Sequence, residues 1–350
     1  MRAYALELVH LGLIGYTEQK RENGMVNKEP LLSICIPTRN RADVLNQCLK
    51  SIVEDPEFSD DVEIVVSDNC STDNTKDVVI SYSSNNQNIK YFRNDSDVGG
   101  DRNILLSLER GTGTFLKLNN DYSIFKEGAL GFLLHEIKEN IEEKPVLYFH
   151  KSNNYPCKEE IITDFNDILK KEKWSMSWIG SYGYWKDDFQ NFEERDRRIN
   201  TMFQQVDWFI RSFKKKKKIL YLSKDLTTRL PFNAKQGGYN FIEVHTKNYL
   251  IQFQELVSEG LLQEKTIEYV KKEALLPSMV SWLLKIKLAN KGRFSYLTEN
   301  GWKILKREFG GYNWYYRVLL KSVLKSLYVI TKTEYIKPII TKFRKNLPKT

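Results

Sequence analysis

Short apolar runs alternate with amphipathic stretches through the first 120 residues of the chain. Residues 31–36, 62–66 and 115–118 are apolar runs that each end abruptly in polar residues. Between the first two, residues 42–53 carry apolar side chains at helical spacing, with Asp43 in the first turn, where the helix dipole favours an acid. This alternation predicts a mostly parallel sheet that is flanked by helices.

The second half of the chain has a less regular pattern. We predict a helix over residues 129–141, a strand over 146–150, and a strand over 218–222 that follows a helix opened by Asp207. We expect a polar loop before residue 173 and helices from about residue 241 onward. The sequence therefore predicts an α/β fold with a helical C-terminal region.

Composition limits the classes to which this protein can belong. The chain has 350 residues, of which 41% are hydrophobic and 13% aromatic, so it can bury a large core and is not expected to be disordered. Its four cysteines show no close pairing and no CxxC spacing, which favours a reducing, cytoplasmic compartment. No apolar run reaches the roughly 18 residues that a membrane-spanning helix needs.

The net charge of +9 is concentrated near the C-terminus, where residues 301–350 carry twelve Lys or Arg and two Glu. A nucleic-acid-binding protein would more typically carry its basic residues across a groove, so we expect no nucleic-acid partner. Within this tail, Arg317, Lys321 and Lys325 are spaced four apart among apolar residues. The spacing predicts a basic amphipathic helix on an anionic membrane surface; the alternative is a helix packed on the protein with solvated lysines.

Polar clusters follow three of the predicted strands. Pro37, Thr38 and Arg39 follow the first strand, residues 67–73 (SDNCSTD) the second, and residues 119–121 (NND) the fourth. Carboxyl ends of parallel strands meet at one edge of a sheet, so we expect the clusters to face a common crevice. Crowded carboxylates are tolerable if a cation or a set of donors lies between them. A nucleotide with a divalent metal ion fits that description.

Taken together, these motifs resemble the nucleotide-sugar-binding half of inverting family 2 glycosyltransferases of GT-A fold. The motifs are PTRNR, SDNCSTDNT, VGGDRN and NND, in that order along the chain. Within the family, the chain resembles enzymes that build bacterial surface polysaccharides, including the abequosyltransferase-like group. The resemblance implies an N-terminal extension (1–29), a Rossmann-like GT-A catalytic domain (30–235) and a C-terminal helical basic region (236–350).

The resemblance assigns most of these residues to a nucleotide-sugar donor. The motif after the first strand would line the nucleobase and ribose pocket, and Asp68 would accept hydrogen bonds from the base. A glycine pair would let the backbone approach the donor closely. An ordinary polar turn and helix cap is the alternative for the second motif. The predicted donor-binding residues are Pro37, Thr38, Arg39, Asp68, Ser71, Asp73, Gly99, Gly100, Arg102, Asn103, Asn119 and Asn120.

The NND motif stands where the family carries its Asp-x-Asp metal motif, so the resemblance implies that Asp121 binds Mg²⁺ or Mn²⁺. Asn119 offers a carbonyl oxygen without a charge, so the metal would rely on Asp121 and on the pyrophosphate oxygens of the donor. Either metal dependence is preserved through Asp121, or the enzyme is weakly metal-dependent or degenerate.

The resemblance also implies a catalytic base on a separate element. The sequence around Asp207 resembles the family's Glu-Asp motif, with Val206 in place of the glutamate. Asp207 would take the proton from the acceptor hydroxyl as it attacks the face opposite the leaving nucleotide. The alternative is that Asp207 only caps its helix, and Glu193, Glu194 and Asp196 are rival bases.

An aromatic stretch is the candidate acceptor site. We predict a strand or wall at residues 178–185, where Trp178, Tyr182, Tyr184 and Trp185 would stack on sugar rings; core packing is the alternative.

We therefore expect a cytoplasmic glycosyltransferase, peripheral on the inner face of the cell membrane. It would move a sugar from a nucleotide-diphosphate donor to a glycan or lipid-linked glycan, with inversion, in capsule or O-antigen synthesis. The alternative is a catalytically inactive carbohydrate- or nucleotide-binding module, because Asn119 and Val206 depart from the family motifs. A nucleotidyltransferase is disfavoured, since no Gly-rich, Lys- or Arg-bearing phosphate loop follows the first strand.

Overall fold

The computed structural model describes residues 29–150, 158–231, 236–290, 292 and 294–336 of the protein. These ranges contain twelve strands. They are β1 (Leu32–Thr38), β2 (Val62–Asp68), β3 (Ile89–Arg93), β4 (Phe115–Leu118), β5 (Ser123–Phe125), β6 (Val146–His150), β7 (Lys158–Ile162), β8 (Gly183–Trp185), β9 (Ile219–Ser223), β10 (Thr227–Arg229), β11 (Gln236–Asn240) and β12 (Phe294–Leu297).

Fourteen α-helices lie between and after these strands, and π-helical turns join α8 to α9 and α11 to α12 and follow α14. The helices are α1 (Ala42–Val53), α2 (Thr75–Ser83), α3 (Gly100–Glu109), α4 (Ala129–Glu139), α5 (Phe165–Glu172), α6 (Lys186–Gln190), α7 (Gln204–Lys216), α8 (Phe241–Glu243), α9 (Tyr249–Ile251), α10 (Gln254–Ser258), α11 (Glu264–Val270), α12 (Leu276–Ala289), α13 (Gly301–Phe309) and α14 (Tyr315–Ile330).

The central sheet has the strand order β3-β2-β1-β4-β8, with β1 to β4 parallel and β8 antiparallel to β4. Both faces of β1 and β2 are buried, which explains why their sequences are continuous apolar runs rather than alternating ones. The strands β2 and β3 lie on one side of β1, whereas β4 pairs with its other side. At such a switch point the strand ends leave a crevice in which α/β proteins bind ligands.

Three smaller sheets complete the strand pairing of the described ranges. The strands β6, β9 and β7 form one sheet, β5 pairs antiparallel with β10, and β11 pairs parallel with β12. The prediction of a mostly parallel sheet flanked by helices, followed by a helical C-terminal region, is confirmed.

The sequence-based boundaries are wrong at three places. The strand β12 interrupts a region that we predicted to be helical throughout, because its alternation of half-buried and exposed side chains lasts only four residues. The predicted polar loop before residue 173 contains β7 and α5. The helix predicted to open at Asp207 begins three residues earlier, at Gln204.

Two apolar clusters fill the two faces of the central sheet. Ile34 and Ile36 of β1 pack toward α1 and α4, while Cys35 faces the opposite cluster, as alternation along a strand requires. The cluster around Cys35 continues without interruption into α12, α13 and Tyr315 of α14. The C-terminal helices therefore share a core with the central sheet, and the domain boundary at 235/236 stays a prediction. The extension 1–29 lies outside the described residues, apart from Glu29.

Candidate active site

The ends of β1 and β4 meet at Asp121. Its carboxylate accepts a hydrogen bond from the Thr38 hydroxyl at 2.8 Å and one from Nη1 of Arg41 at 3.0 Å. The Asp121 side chain is 1% exposed, so burial raises the pKa of its carboxyl, while Arg41 and Thr38 act in the opposite direction. A buried carboxylate and a guanidinium therefore form the floor of the crevice.

Aromatic and basic side chains surround this floor. The guanidinium carbons of Arg41 and Arg229 lie 5.6 Å and 5.1 Å from the centre of the Tyr122 ring. Burial raises the pKa of Tyr296 in β12, whereas its hydrogen bond with Tyr239 and the charges of Arg229 and Arg41 oppose that rise. We call Arg41, Tyr122, Arg229 and Tyr296 the arginine–aromatic cluster. The half-buried Trp178 lies beside it, with its ring 6.3 Å from that of Tyr122.

The buried carboxylate of Asp68 orders the loop after β2. It accepts hydrogen bonds from the backbone N–H of Ser71 at 2.9 Å and from the Tyr91 hydroxyl at 2.6 Å. Burial, followed by this hydrogen bond, raises the pKa of Tyr91. Asp68 thus shapes the loop that follows it, and its contact with a nucleobase stays a prediction.

Asp73 joins the first turns of α1 and α2. Its carboxylate accepts from the backbone N–H of Ala42 at 3.0 Å and from that of Thr75 at 3.1 Å. Burial raises the pKa of Asp73, but the bonds from Thr75 and Ala42 outweigh it and leave this pKa below its usual value. The Ser71 hydroxyl accepts from the backbone N–H of Asn40 at 2.9 Å. Ser71 and Asp73 therefore satisfy helix and loop N–H groups, which is the polar-turn interpretation of this motif.

The turn before α3 combines a glycine at positive φ with an ion pair. Gly99 has φ +83°, which glycine adopts readily and other residues rarely do. Asp97 accepts from the Gly99 N–H at 3.0 Å and forms an ion pair with Arg39. Asn103 is buried and donates to the backbone carbonyl of Ser67 at 2.8 Å, so it fastens α3 to β2.

The other predicted donor residues lie at the edge of this region. Gly100 opens α3, and a side chain there would meet nothing within 4 Å. Arg102 reaches Asp196 at 3.3 Å, with both side chains largely exposed. Pro37 lies in β1 opposite Ser67. The structure therefore brings Thr38 to Asp121, but turns Asp68, Asp73 and Asn103 toward the protein itself.

The NND motif supplies an incomplete ligand set for a divalent cation. Asn119 is buried and donates to the backbone carbonyls of Asn120 and Ser123 at 3.0 Å and 3.2 Å, so its amide holds the loop. In the part of the chain that the structure describes, no group of three His, Cys, Asp or Glu is arranged to hold a metal ion. Asp121 offers one carboxylate, which Arg41 covers. These residues do not fit a resident metal, and binding of Mg²⁺ or Mn²⁺ at Asp121 stays a prediction.

Asp207 lies inside α7, where it is 2% exposed and held by arginine. Nε of Arg197 lies 3.1 Å from both of its oxygens, and Nη2 lies 2.6 Å from Oδ1. Arg198 and Arg211 approach to 3.9 Å, and Arg197 also binds Glu255 of α10 at 2.9 Å. The hydrogen bonds to Asp207 are the main cause that raises the pKa of Arg197. Asp207 does not cap α7, and its role as a base stays a prediction.

Asp101 is a carboxylate that the sequence placed near the donor but not among the bases. It is half-buried, and burial raises its pKa against the hydrogen bond that it accepts from the Met202 N–H at 2.8 Å. The Gln204 amide donates to the backbone carbonyl of Asp101, so α3 and α7 meet at their first turns. A buried carboxyl whose pKa is raised is a candidate for proton transfer, and its sequence signal is the GGD motif of this turn.

The predicted aromatic platform is wrong for three of its four residues. Tyr182, Tyr184 and Trp185 are at most 3% exposed and belong to the core. Trp185 packs against the ring of Phe115 at 5.0 Å, because both faces of β8 are covered. Trp178 alone of the four is half-buried and faces Tyr122.

Residues 33–218 match the family model described as Glycosyl transferase family 2. The chain is 42% identical over 86 residues to abequosyltransferase RfbV of Salmonella typhimurium, which is 24% of this chain and 26% of that protein. It is 36% identical over 111 residues to the GalNAc(5)-diNAcBac-PP-undecaprenol beta-1,3-glucosyltransferase of Campylobacter jejuni, 31% of this chain and 35% of that protein. The chain thus spans only about a third or less of these relatives in each comparison.

Solved structures share the fold at low identity. S. aureus TarS 1-349 in complex with UDP-GlcNAc has a TM-score of 0.51 and 14% identity, covering 84% of this chain and 90% of that chain. The mannosyltransferase PcManGT from Pyrobaculum calidifontis, in complex with GDP-Man and Mn²⁺, has a TM-score of 0.51 and 15% identity, covering 95% and 98%. The predicted GT-A-like fold is confirmed.

Proposed function

Because the chain belongs to glycosyl transferase family 2, we propose that it transfers a sugar from a nucleoside-diphosphate donor to a glycan or lipid-linked glycan, with inversion at the anomeric carbon. The observation that carries the proposal is the meeting of Thr38, Arg41 and Asp121 at the switch point of the parallel sheet. Ligands of open α/β sheets bind at that point. We extend the proposal to the synthesis of a bacterial surface polysaccharide such as capsule or O-antigen.

The acceptor class is supported by a relative. The Campylobacter protein is named for GalNAc(5)-diNAcBac-PP-undecaprenol, a glycan on a lipid. A lipid-linked acceptor for this chain would lie in a membrane, and the glycan end would have to reach the crevice. Trp178, half-buried beside Tyr122, offers that end an aromatic face.

In the proposed reaction, the donor diphosphate lies over Asp121 and Arg41 while the acceptor hydroxyl approaches from the opposite side. Asp207 takes the proton of that hydroxyl, which requires one of its oxygens to exchange Arg197 for the acceptor. The guanidinium of Arg41 opposes the charge that develops on the leaving diphosphate.

We expect the purified protein to release sugar from at least one nucleotide sugar, and Asp121→Asn to lower that rate by about 100-fold. The charge of Asp121 holds Arg41 over the crevice, and the substitution keeps the shape of the side chain while removing that charge. A panel of nucleotide sugars, assayed for hydrolysis and transfer, provides the measurement.

Asp188→Asn is the matched control for this substitution. Asp188 is also buried and paired with Lys215 and Lys216, but on α6. It should keep the rate of the native protein. If nucleotides bind and the native protein releases sugar from none of the donors, the inactive binding module is the correct interpretation.

An exposed apolar surface on α14 supports peripheral membrane binding. The inner face of α14 is buried at Ser322 and Ser326, and its basic row of Arg317, Lys321 and Lys325 is exposed. No helix in the described part of the chain has the length and apolarity needed to span a bilayer. We propose that α14 lies on an anionic lipid surface, since apolar and basic rows side by side fit one. The apolar row, 60 to 67% exposed, consists of Tyr316, Leu320, Leu324 and Tyr328.

Lipid binding by α14 is testable with vesicles of anionic phospholipid. We expect the double variant Leu320→Glu and Leu324→Glu to bind at least about tenfold more weakly in flotation, because two apolar contacts are replaced by charges of the lipid's own sign. Ile161→Glu, on the equally exposed Ile161 of β7, is the control and should float like the native protein. Equal recovery of the double variant would remove the membrane proposal.

A further inference from the structure

We propose that the arginine–aromatic cluster is a diphosphate-binding subsite in which Arg41 and Arg229, rather than a divalent cation, oppose the charge of the phosphates. The inference rests on the proposed function, which supplies the diphosphate. The two arginines would neutralise the charge of the phosphates, so we predict that a nucleotide binds without a metal ion.

Arg41 is paired with the carboxylate of Asp121 and is the more exposed of the two side chains. Its Nη1 is 3.0 Å and 3.4 Å from the two oxygens of Asp121. The Arg41 side chain is 32% exposed, whereas that of Asp121 is 1% exposed. A ligand that approaches the end of β4 through the crevice therefore meets the guanidinium before the carboxylate. Guanidinium groups match the geometry of phosphate oxygens and bind them with paired hydrogen bonds.

Backbone pairing holds Arg229 beside the same Tyr122 ring. Its strand β10 runs antiparallel to β5, with Arg229 opposite Ser123, and the N–H of Leu230 donates to the carbonyl of Tyr122 at 2.8 Å. Both guanidinium carbons lie within 5.6 Å of the centre of the Tyr122 ring. Two guanidinium groups thus lie against one aromatic ring, and a diphosphate carries two negative groups that guanidinium groups can bind.

The polar groups at this mouth are mainly donors. A cation site needs oxygen acceptors, whereas an anion site needs N–H groups and positive charge. Next to Asp121, Nδ2 of Asn120 is a buried donor without a hydrogen-bond partner in the described part of the chain. Asn119 carries no charge and its amide is turned into the loop. This end of the sheet thus combines two arginines and an unsatisfied amide with one carboxylate, a set that suits an anion better than a cation.

The C-terminal region completes the subsite. The ring of Tyr296 in β12 lies 5.2 Å from that of Tyr239 in β11, and the charges of Arg229 and Arg41 act on its hydroxyl. A tyrosine hydroxyl donates to phosphate oxygens. Two sources can provide the diphosphate: the nucleoside-diphosphate donor, or the polyprenol diphosphate of a lipid-linked acceptor. The same guanidinium chemistry would recognise either one.

Calorimetric titration of the full-length protein with UDP, GDP and farnesyl diphosphate tests the proposal, in EDTA and again in Mn²⁺. We expect a nucleoside diphosphate to bind equally well in both buffers. Arg41→Ala and Arg229→Ala should each weaken binding in EDTA by about 10-fold to 100-fold, the size expected for a lost charge-assisted pair. Arg41→Lys keeps the charge over Asp121 but loses the planar fork, so it should be intermediate and remain folded.

Arg307→Ala, on α13 with Glu308 as its neighbour, is the control and should bind like the native protein. If the two alanine variants lose binding of farnesyl diphosphate but keep binding of UDP and GDP, the result also supports the subsite and assigns it to the acceptor. The proposal is overturned if the native protein binds only in Mn²⁺, or if Arg41→Ala strengthens Mn²⁺-dependent binding by uncovering Asp121; the proposed function then stands. If no diphosphate binds in either buffer, both proposals fall.

Discussion

Asp207→Asn is expected to lower kcat by about 10²-fold to 10⁴-fold with little change in KM for the donor. A general base contributes about that much to a rate, and an amide of the same shape cannot accept the proton. In the proposed function the donor is bound by other residues, at the ends of β1 and β4, so its affinity should be kept. Initial rates at saturating donor and acceptor, together with a pH profile of kcat, provide the measurement.

Arg197→Gln separates a base from a structural ion pair. Arg197 donates hydrogen bonds of 2.6 Å and 3.1 Å to Asp207, and its Nη2 also donates to Glu255 at 2.9 Å. If Asp207 is the base, removing Arg197 should cost far less activity than removing the carboxylate. Equal losses in both variants, accompanied by equal drops in melting temperature, would mean that Asp207 only holds the network together.

Asp101→Asn is the competing variant, because burial raises the pKa of Asp101 and its helix meets α7. If this substitution removes the acidic limb of the pH profile while Asp207→Asn keeps it, Asp101 is the base and the interpretation of the motif around Asp207 is wrong.

The free energy of unfolding is expected to fall by about 2 to 3 kcal/mol between pH 7 and pH 4.5 because of His245. The imidazole ring stacks on that of Phe241, with 4.0 Å between the ring centres. The ring centres of Trp174 and Phe203 lie 4.7 Å and 5.4 Å from that of the imidazole. Burial lowers the pKa of His245 to about 4, although its bond to the Phe241 carbonyl acts in the opposite direction. The unfolded chain, with a histidine pKa of about 6.5, therefore binds the proton more readily.

Because the unfolded chain binds the proton more readily, acidification destabilises the folded protein. Stability from the neutral imidazole is complete above about pH 6.5 and is lost as the pH falls toward 4. Urea unfolding of the native protein and of His245→Gln at both pH values measures the change in the free energy of unfolding. The variant should show a smaller decrease in this free energy. His135→Gln, on an exposed histidine of α4, is the control. A drop of the same size in all three proteins would contradict the prediction.

The central sheet could be predicted because buried parallel strands have an unusual sequence. Strands β1 and β2 are covered on both faces, so they stand out as continuous apolar runs that end in polar residues. The elements that were missed are short: α5 has eight residues and β12 has four. At that length the helical and strand periods do not differ enough to be separated.

The candidate site was predictable where it depends on strand ends and not where it depends on tertiary contacts. Thr38 and Asp121 meet because β1 and β4 are parallel neighbours. Asp73 turns inward because the first turns of two helices have backbone N–H groups that need acceptors. Arg229 was missed because its position depends on the pairing of two three-residue strands about 100 residues apart, which leaves no local signal.

The continuous core between the central sheet and the C-terminal helices has a consequence for hybrid genes. Glu255 of α10 binds Arg197, which in turn holds Asp207, and the charge of Arg41 acts on Tyr296 of β12. A chimera that joins the first half of this chain to the second half of a homologue would replace both Glu255 and Tyr296 at once. Recombination between the two halves of the gene would therefore alter the surroundings of Asp207 and of Arg41 together.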